Sequence, residues 1–416
     1  MLSKQYPALQ HRPYRLLWSG LLVSNMGTWM QNVAQSWLIY KMTDNDPRYL
    51  GWLGLTFAIP MIVLPPLGGF LADRFPRPKI LTITQWSMMA VALIQALLTW
   101  SNLNSPALIL VATFVGAVLL AVDNPTRQAL IPTLVPRHDL MNALALNSAT
   151  YNGAALIGPA LAGFLLGIMG PGWLFFGNAV SYLAVIYAVT QMPFEAEQGA
   201  STMSLREALL GGVTYAWVHA LTGVLLITST IMSIFGRSYQ QLLPVYADDI
   251  WRISAQGYGI LLSAAGAGAM IGALGLASIP AITPNQRNLR IAGMGFALTL
   301  AGFAVAPWWW LGVIMLVLVG IIGTAATTMI ATMLQLSVPA HLRGRVMSLH
   351  AVTLIGVPSL GGLLITNMTT WLGRGETLSN INASGAPLAL ISGAICVLML
   401  FLVLRLPADH GAQSPS

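Results

Sequence analysis

Arg237, Asp123 and His350 are ionisable residues set inside long apolar stretches of the chain. Charge is costly in hydrocarbon, so such groups face protein, water or a ligand. Arg237 lies deepest of the basic residues; a guanidinium there calls for an anionic or polar solute, an ion-pair partner or backbone carbonyls. Asp123 is the one carboxylate well inside a stretch. It fits a gate ion pair with Arg127 or Arg77, a proton carrier, or neither role. His350 is either a satisfied interfacial histidine or a proton site, since imidazole titrates near neutrality. Neutral polar residues accompany these at helical spacing: Ser24, Thr28, Gln31 or Asn32 and Gln35; Thr113, Gly116, Asp123 and Arg127, with Asn124 beside them; Thr230, Ser233, Arg237 and Gln241; Gly320, Thr324, Thr328, Thr332 and Gln335. Asn147 and Tyr151 share one face, and Asn178 adds a further amide. Such stripes either line one wet cavity for a hydrogen-bonding amphiphile or glue neighbouring helices together. Tyr151 fits packing as well as ligand contact.

The elements that must carry these groups are membrane helices. Only 7% of the 416 residues are charged, 56% are hydrophobic and the mean hydropathy is +0.72, whereas a soluble domain carries about 25% charged residues. A bilayer core needs about 20 apolar residues per helix, and twelve such spans can be placed: 16–39, 50–73, 79–100, 106–129, 140–168, 172–191, 219–246, 257–280, 289–306, 309–336, 345–370 and 386–405. The runs are continuous rather than alternating, which selects helices over a barrel. The polar stripes fall on spans 1, 4, 7 and 10, the first of each successive triplet. That regularity favours one shared cavity.

The net charge of +7 is explained by sidedness rather than by a nucleic-acid partner. Fourteen of the 19 Lys and Arg lie at the termini and in even-numbered loops, against Lys41, Arg48, Arg252 and Arg374 on the other face. The positive-inside bias puts both termini in the cytoplasm. The single cysteine, Cys396, excludes an intramolecular disulfide and reads as a small buried residue of the last span. The polar lead, Met1 to Arg15, feeds a span too long for a signal peptide, so the first helix is expected to stay attached. Six scattered histidines, no HExxH and no GxxxxGK[ST] loop leave no metal site, cofactor or nucleotide-driven pump to propose.

An internal repeat organises the spans. Val135-Pro-Arg-His-Asp-Leu-Met-Asn-Ala-Leu-Ala-Leu146 overlays Val338-Pro-Ala-His-Leu-Arg-Gly-Arg-Val-Met-Ser-Leu349, and the same offset carries Gly69 onto Gly272. Two six-helix halves follow, 1–192 and 219–416, joined by a polar linker at 193–218 in which a short surface helix begins at Arg206 and Glu207. Parallel repeats of this kind place a solute site near midplane at their interface.

Gly69-xxx-Asp73-Arg74-xx-Arg77-x-Lys79, after the second span, resembles the loop 2–3 signature of the major facilitator superfamily. The resemblance implies that Asp73, Arg77 and an acid on the fourth helix, here Asp123, latch the cytoplasmic side. The sequence departs from the pattern at Pro76 and Pro78, which cannot supply the positive φ of a glycine. Gly158-Pro159-Ala-Leu-Ala-Gly163 is similar to the end of the fifth-helix antiporter motif, with Ala145 and Ala154 where glycines are expected. Tyr14 to Trp18, Asn25 to Gln31, Asn124 to Ala129, Leu243 to Ala247 and Arg343 to Val346 resemble the bacterial subfamily of enterobactin exporters and macrolide efflux proteins. That resemblance implies a proton-driven exporter of a siderophore, antibiotic or similar amphiphile in the bacterial inner membrane. The partners expected are a small-molecule solute, a proton gradient and the lipid bilayer, with a monomer sufficient and the oligomeric state open. An importer of the same fold is the nearest rival; a polytopic enzyme or scaffold lacks a clustered site in the sequence.

Overall fold

The computed structural model describes residues 6–192, 215–278, 283–373 and 378–407. Among them twelve helical tracts succeed one another and no β-strand forms. They are α1 (Arg12–Met42), α2 (Arg48–Val63 continued by Pro65–Arg74), α3 (Arg77–Trp100), α4 (Pro106–Leu130), α5 (Leu140–Met169), α6 (Pro171–Thr190), α7 (Ala220–Ile250), α8 (Ser254–Ser278), α9 (Gln286–Ala304), α10 (Trp309–Ser337), α11 (Ala340–Ile355 continued by Val357–Leu372) and α12 (Leu378–Val403). Each overlaps one expected span. Among the described residues nine are individually long and apolar enough to cross a bilayer, and α2 makes ten if its two pieces are one span. Composition alone holds back α1, which carries Asn25, Gln31, Asn32 and Gln35, and α9, which opens on Gln286-Arg287-Asn288.

Proline and glycine set the interruptions. The pieces of α2 bend by 44° at Leu64, because Pro65 and Pro66 donate no amide hydrogen and crowd the preceding turn. Gly356 and Pro358 interrupt α11 in the same way. α5 ends on Gly170 at φ 78°, a left-handed value that a side chain resists, and Pro171 then opens α6 with its φ already suited to a first turn. Asn285 caps α9 by accepting from the Asn288 amide at 2.9 Å. The loop between α2 and α3 needs no positive φ. Phe75 and Pro76 run extended, and Pro78 sits in the first turn of α3, where its missing N–H costs no hydrogen bond.

Two compact units emerge, one from Met1–Asp44, Ile59–Thr202 and Ser254–Ser263, the other from Asn45–Ala58, Met203–Ile253 and Ala264–Ser416. In the first, α1 lies along α5 and α6, α3 along α4 and α6, and the second piece of α2 along α4. Gly68 brings α2 so close to α4 that an added Cβ would stand 2.7 Å from the Ala121 carbonyl oxygen. Its N-terminal end is tied down by the Tyr14 hydroxyl donating to the Ala143 carbonyl at 2.7 Å, over a core of Leu17, Leu81, Leu130 and Val189. In the second unit α9 packs on α10 and α12, and the second piece of α11 packs on α7 and α12. The expected linker at 193–218 falls outside the described residues except for 215–218, which are helical. Its surface helix at Arg206 and Glu207 lies outside them too, as does Arg374. Cys396 is exposed on the surface of α12 rather than buried, since that face of the helix turns away from its neighbours in the unit.

Candidate functional site

Polar side chains gather in three buried groups, two in the first unit and one in the second. The first surrounds Asp123. Its carboxylate is wholly buried and accepts from the Thr84 hydroxyl at 2.7 Å and the Gln85 amide at 2.9 Å, both on α3. Arg127, one turn further along α4, forms the ion pair. Their four-residue, one-turn spacing delivers that partner without help from another helix, and the two α3 donors satisfy lone pairs that burial would otherwise leave costly. Arg77 goes elsewhere: its guanidinium donates to the carbonyls of Ala129 at 3.2 Å and Ala72 at 3.4 Å. Asp73 has no ion-pair partner among the described residues, and Arg74 lies 4.1 Å over the Phe70 ring. Asp73, Arg77 and Asp123 are therefore not in one contact here. Gly69 has open space around it, while the close approach falls to its neighbour Gly68.

The second group joins α1, α3 and α6. Gln95 accepts from Gln31 at 3.0 Å and from Gln35 at 3.1 Å, and Asn178 donates to Gln31 at 2.5 Å and to the Tyr182 hydroxyl at 3.2 Å. Gln35, Gln95 and Asn178 are buried, and the Gln95 amide nitrogen has no hydrogen-bond partner among the described residues. Two residues expected in a solute cavity, Gln31 and Gln35, are thus tied into the interior of their own bundle. Thr28 bonds back to the Ser24 carbonyl, Asn147 is half-buried and Tyr151 is exposed.

The third group sits where α7 is irregular. Residues Met232–Arg237 form a π-helical turn, and Tyr246–Ile250 a second one beyond Pro244. The wide turn is gripped by glycines. Gly361 of α11 meets the Ile234 carbonyl, and Gly393 of α12 meets that of Phe235. Within it Ser233 is buried, and on α11 His350 is 2% exposed. The His350 Nδ1 lies 3.3 Å from the Ser229 hydroxyl, which is itself 2.6 Å from that of Thr353. Arg237 ends the turn, half-buried. Gln241 is threaded between Gly54 and Gly362, either of which would strike it if given a side chain. Thr328 is exposed on α10. An apolar groove of about 510 Å³ beside α11, lined by Leu360, Leu364, Asn367 and Trp371 among others, contains none of the candidate residues.

Sequence reading passed over α3. Thr84 and Gln95 are three turns apart on one face, and that eleven-residue spacing inside an apolar span was the available signal. The fifth-helix glycines are close-packed as their motif suggests: a Cβ on Gly158 would stand 2.7 Å from Trp29, and one on Gly163 would stand 2.9 Å from the Cα of Gly259. Pro159 lies between them in an unbroken helix.

A profile of transmembrane secretion effectors matches residues 3–415. The chain belongs to that family. It is a branch of the major facilitator superfamily, and the all-α fold is that of its transporters. The staphyloferrin A transporter of Staphylococcus aureus is 26% identical, over 90% of this chain and 92% of its own length. The enterobactin exporter EntS of Escherichia coli K12 is 24% identical, over 97% and 94%. Among solved structures, a bacterial homologue of the lysosomal transporter Spinster superposes with a TM-score of 0.75 at 15% identity, covering 94% of this chain and 96% of that one. The D-xylose–proton symporter gives 0.69 at 13% identity, covering 95% and 98%; at such identities the likeness speaks for the fold alone. This secretion effector is an integral membrane protein and a secondary transporter of a small molecule. Its family and fold are those of transporters, not enzymes.

Proposed function

We propose that this secretion effector exports a small organic solute of the siderophore or antibiotic type across the bacterial cytoplasmic membrane, in exchange for protons. Both termini are cytoplasmic in this reading. The halves 1–192 and 219–416 rock about a midplane cavity to which Thr28, Asn147, Tyr151, Arg237, Gln241 and Thr328 contribute. Gln31 and Gln35 set its wall, and Asp73 with Arg77 and the Asp123–Arg127 pair governs the cytoplasmic gate. The observation that carries the reading is similarity along the whole chain to two transporters of siderophores, one of them an exporter. Close packing of the Gly158-Pro159 and Gly163 segment adds to it.

Membrane vesicles test direction and coupling together. Everted vesicles holding this protein and given enterobactin or staphyloferrin A are expected to accumulate one of them when the lumen is acidic, and to lose it on collapse of the pH gradient. Accumulation confined to right-side-out vesicles would establish import instead. Arg237→Ala is expected to reduce uptake at least tenfold with the protein still inserted; full uptake by that variant would remove Arg237 from the cavity.

A further inference from the structure

The buried group on α7 and α11 contains polar atoms without a hydrogen-bond partner among the described residues, the Gln241 Oε1 and two others. Neither the His350 Nε2 nor the Ser233 hydroxyl has a hydrogen-bond partner among the described residues, although both side chains are at least nine-tenths buried. An unsatisfied polar group in a native interior costs about 1–3 kcal/mol and calls for an explanation. On its other side the ring is well provided. Ser229 and Thr353 are paired at 2.6 Å with either oxygen able to donate, and both stand near Nδ1, at 3.3 and 3.5 Å. Hydroxyl hydrogens rotate freely. The pair can therefore donate to a bare Nδ1 or turn and accept from a protonated one. A proton can arrive or leave at that nitrogen without stranding a hydrogen bond.

The charged surroundings are sparse. Of the elements packed on the first piece of α11, α10 carries no ionisable residue, nor does the second piece of α11. On α7, Arg237 is the charged group whose field reaches the ring; on α11 itself Arg343 and Arg345 lie one to two turns toward the N-terminus. An imidazolium at 350 would thus add positive charge on the side of Arg237; the carboxylates of α7, Asp248 and Asp249, lie eleven and twelve residues beyond Arg237 in the second wide turn, where they accept from Asn45. Arg237 closes the π-helical turn, and a π turn can relax to α geometry by shifting register, so it is a natural two-state element.

We infer that His350 is the residue through which the second unit takes up and releases the exchanged proton, with Ser229 and Thr353 as its adaptable partners and the π turn of α7 as the element its charge displaces. This rests on the proton-antiport reading above and names the carrier within it. Protonation adds H⁺ at Nδ1, and the Nε2–H already present is unchanged. Repulsion between the imidazolium and Arg237 then shifts the turn that holds Arg237 and, four residues on, Gln241.

Two measurements decide it. In the full-length protein labelled at histidine, the His350 ring resonance, assigned by its loss in His350→Gln, is expected to titrate within the pH range over which uptake changes. A ring that keeps one neutral tautomer across that range would overturn the inference. Everted vesicles with a pH dye in the lumen report protons moved on adding enterobactin or staphyloferrin A. Wild type is expected to alkalinise the lumen; His350→Gln is expected to lose at least nine-tenths of that signal while still exchanging labelled for unlabelled solute. Undiminished proton movement in His350→Gln would overturn the inference and leave antiport standing. Solute entry without any proton movement in wild type would remove both. Should His350→Gln fail to insert, Thr353→Val keeps the ring and removes one rotor: a displaced pH optimum for uptake supports the inference, and an unchanged one counts against it.

Discussion

The Asp123 group of the first unit and the His350 group of the second are both buried, both polar and both built across two helices, yet they are finished differently. Asp123 has an ion partner on its own helix and two donors from α3. His350 has hydroxyls on one side only and an unsatisfied nitrogen on the other. A buried charge must be matched wherever it stays, so the Asp123 carboxylate is matched on both oxygens and braces α3 against α4, even though the Gln85 Oε1 and the Arg127 Nε beside it have no hydrogen-bond partner among the described residues. A neutral imidazole tolerates an open side, so the second group can change state. The lesson is that burial of an ionisable residue does not by itself mark a moving proton; the completeness of its partners discriminates.

The largest effect should come from breaking the Asp123 group. Arg127→Met strands the Asp123 carboxylate and is expected to cost about 3–5 kcal/mol, read as a lowered melting midpoint in detergent. Ser229→Ala, in the open group, should cost only about 0.5–1.5 kcal/mol; equal losses would erase the distinction between the two. Next in size is the grip on the wide turn of α7. Gly361→Ala would drive a methyl into the Ile234 carbonyl and is expected to cost about 1–3 kcal/mol with a loss of transport. Gly362→Ala meets only the end of the Gln241 side chain, which can move, and should cost less. Gln95→Leu removes the shared acceptor of half-buried Gln31 and buried Gln35, and leaving their amides without it should cost about 1–3 kcal/mol and slow uptake. The smallest effect belongs to Gly69. With open space around it, Gly69→Ala should leave stability unchanged or raise it by up to about 1 kcal/mol, whereas Gly68→Ala should destabilise by clashing with Ala121. A Gly69→Ala variant that folds normally but transports poorly would locate the motif glycine's role in the transport cycle rather than in the fold.

Much of the architecture was legible because hydrocarbon is an unforgiving solvent. Each of the twelve expected spans overlaps a helical tract, but spans 50–73 and 345–370, read as continuous, are each broken beside a proline, at Leu64 and Gly356. The family could be read from Asp73-Arg74-xx-Arg77 and from Gly158-Pro159. Of the site, the Asp123–Arg127 pairing was open to sequence reasoning because four-residue spacing on one helix fixes it. The role of Gln31 and Gln35 was not. An amide on an amphipathic stripe can face a cavity or a neighbour, and the decision fell to Gln95 and Asn178, distant in sequence. Cys396 shows the reverse error, since a small apolar residue suits lipid as well as it suits a core.

The residue order alone determined that this chain must live in a bilayer as helices, because no other structure satisfies backbone groups across so many apolar runs. It determined the family as well, through charge and glycine placed at fixed intervals. Tertiary structure decided which polar groups are complete and which are left open. Hydrogen-bond satisfaction depends on side chains brought together from different helices, and on a wide turn in α7 whose carbonyls two distant glycines hold in place.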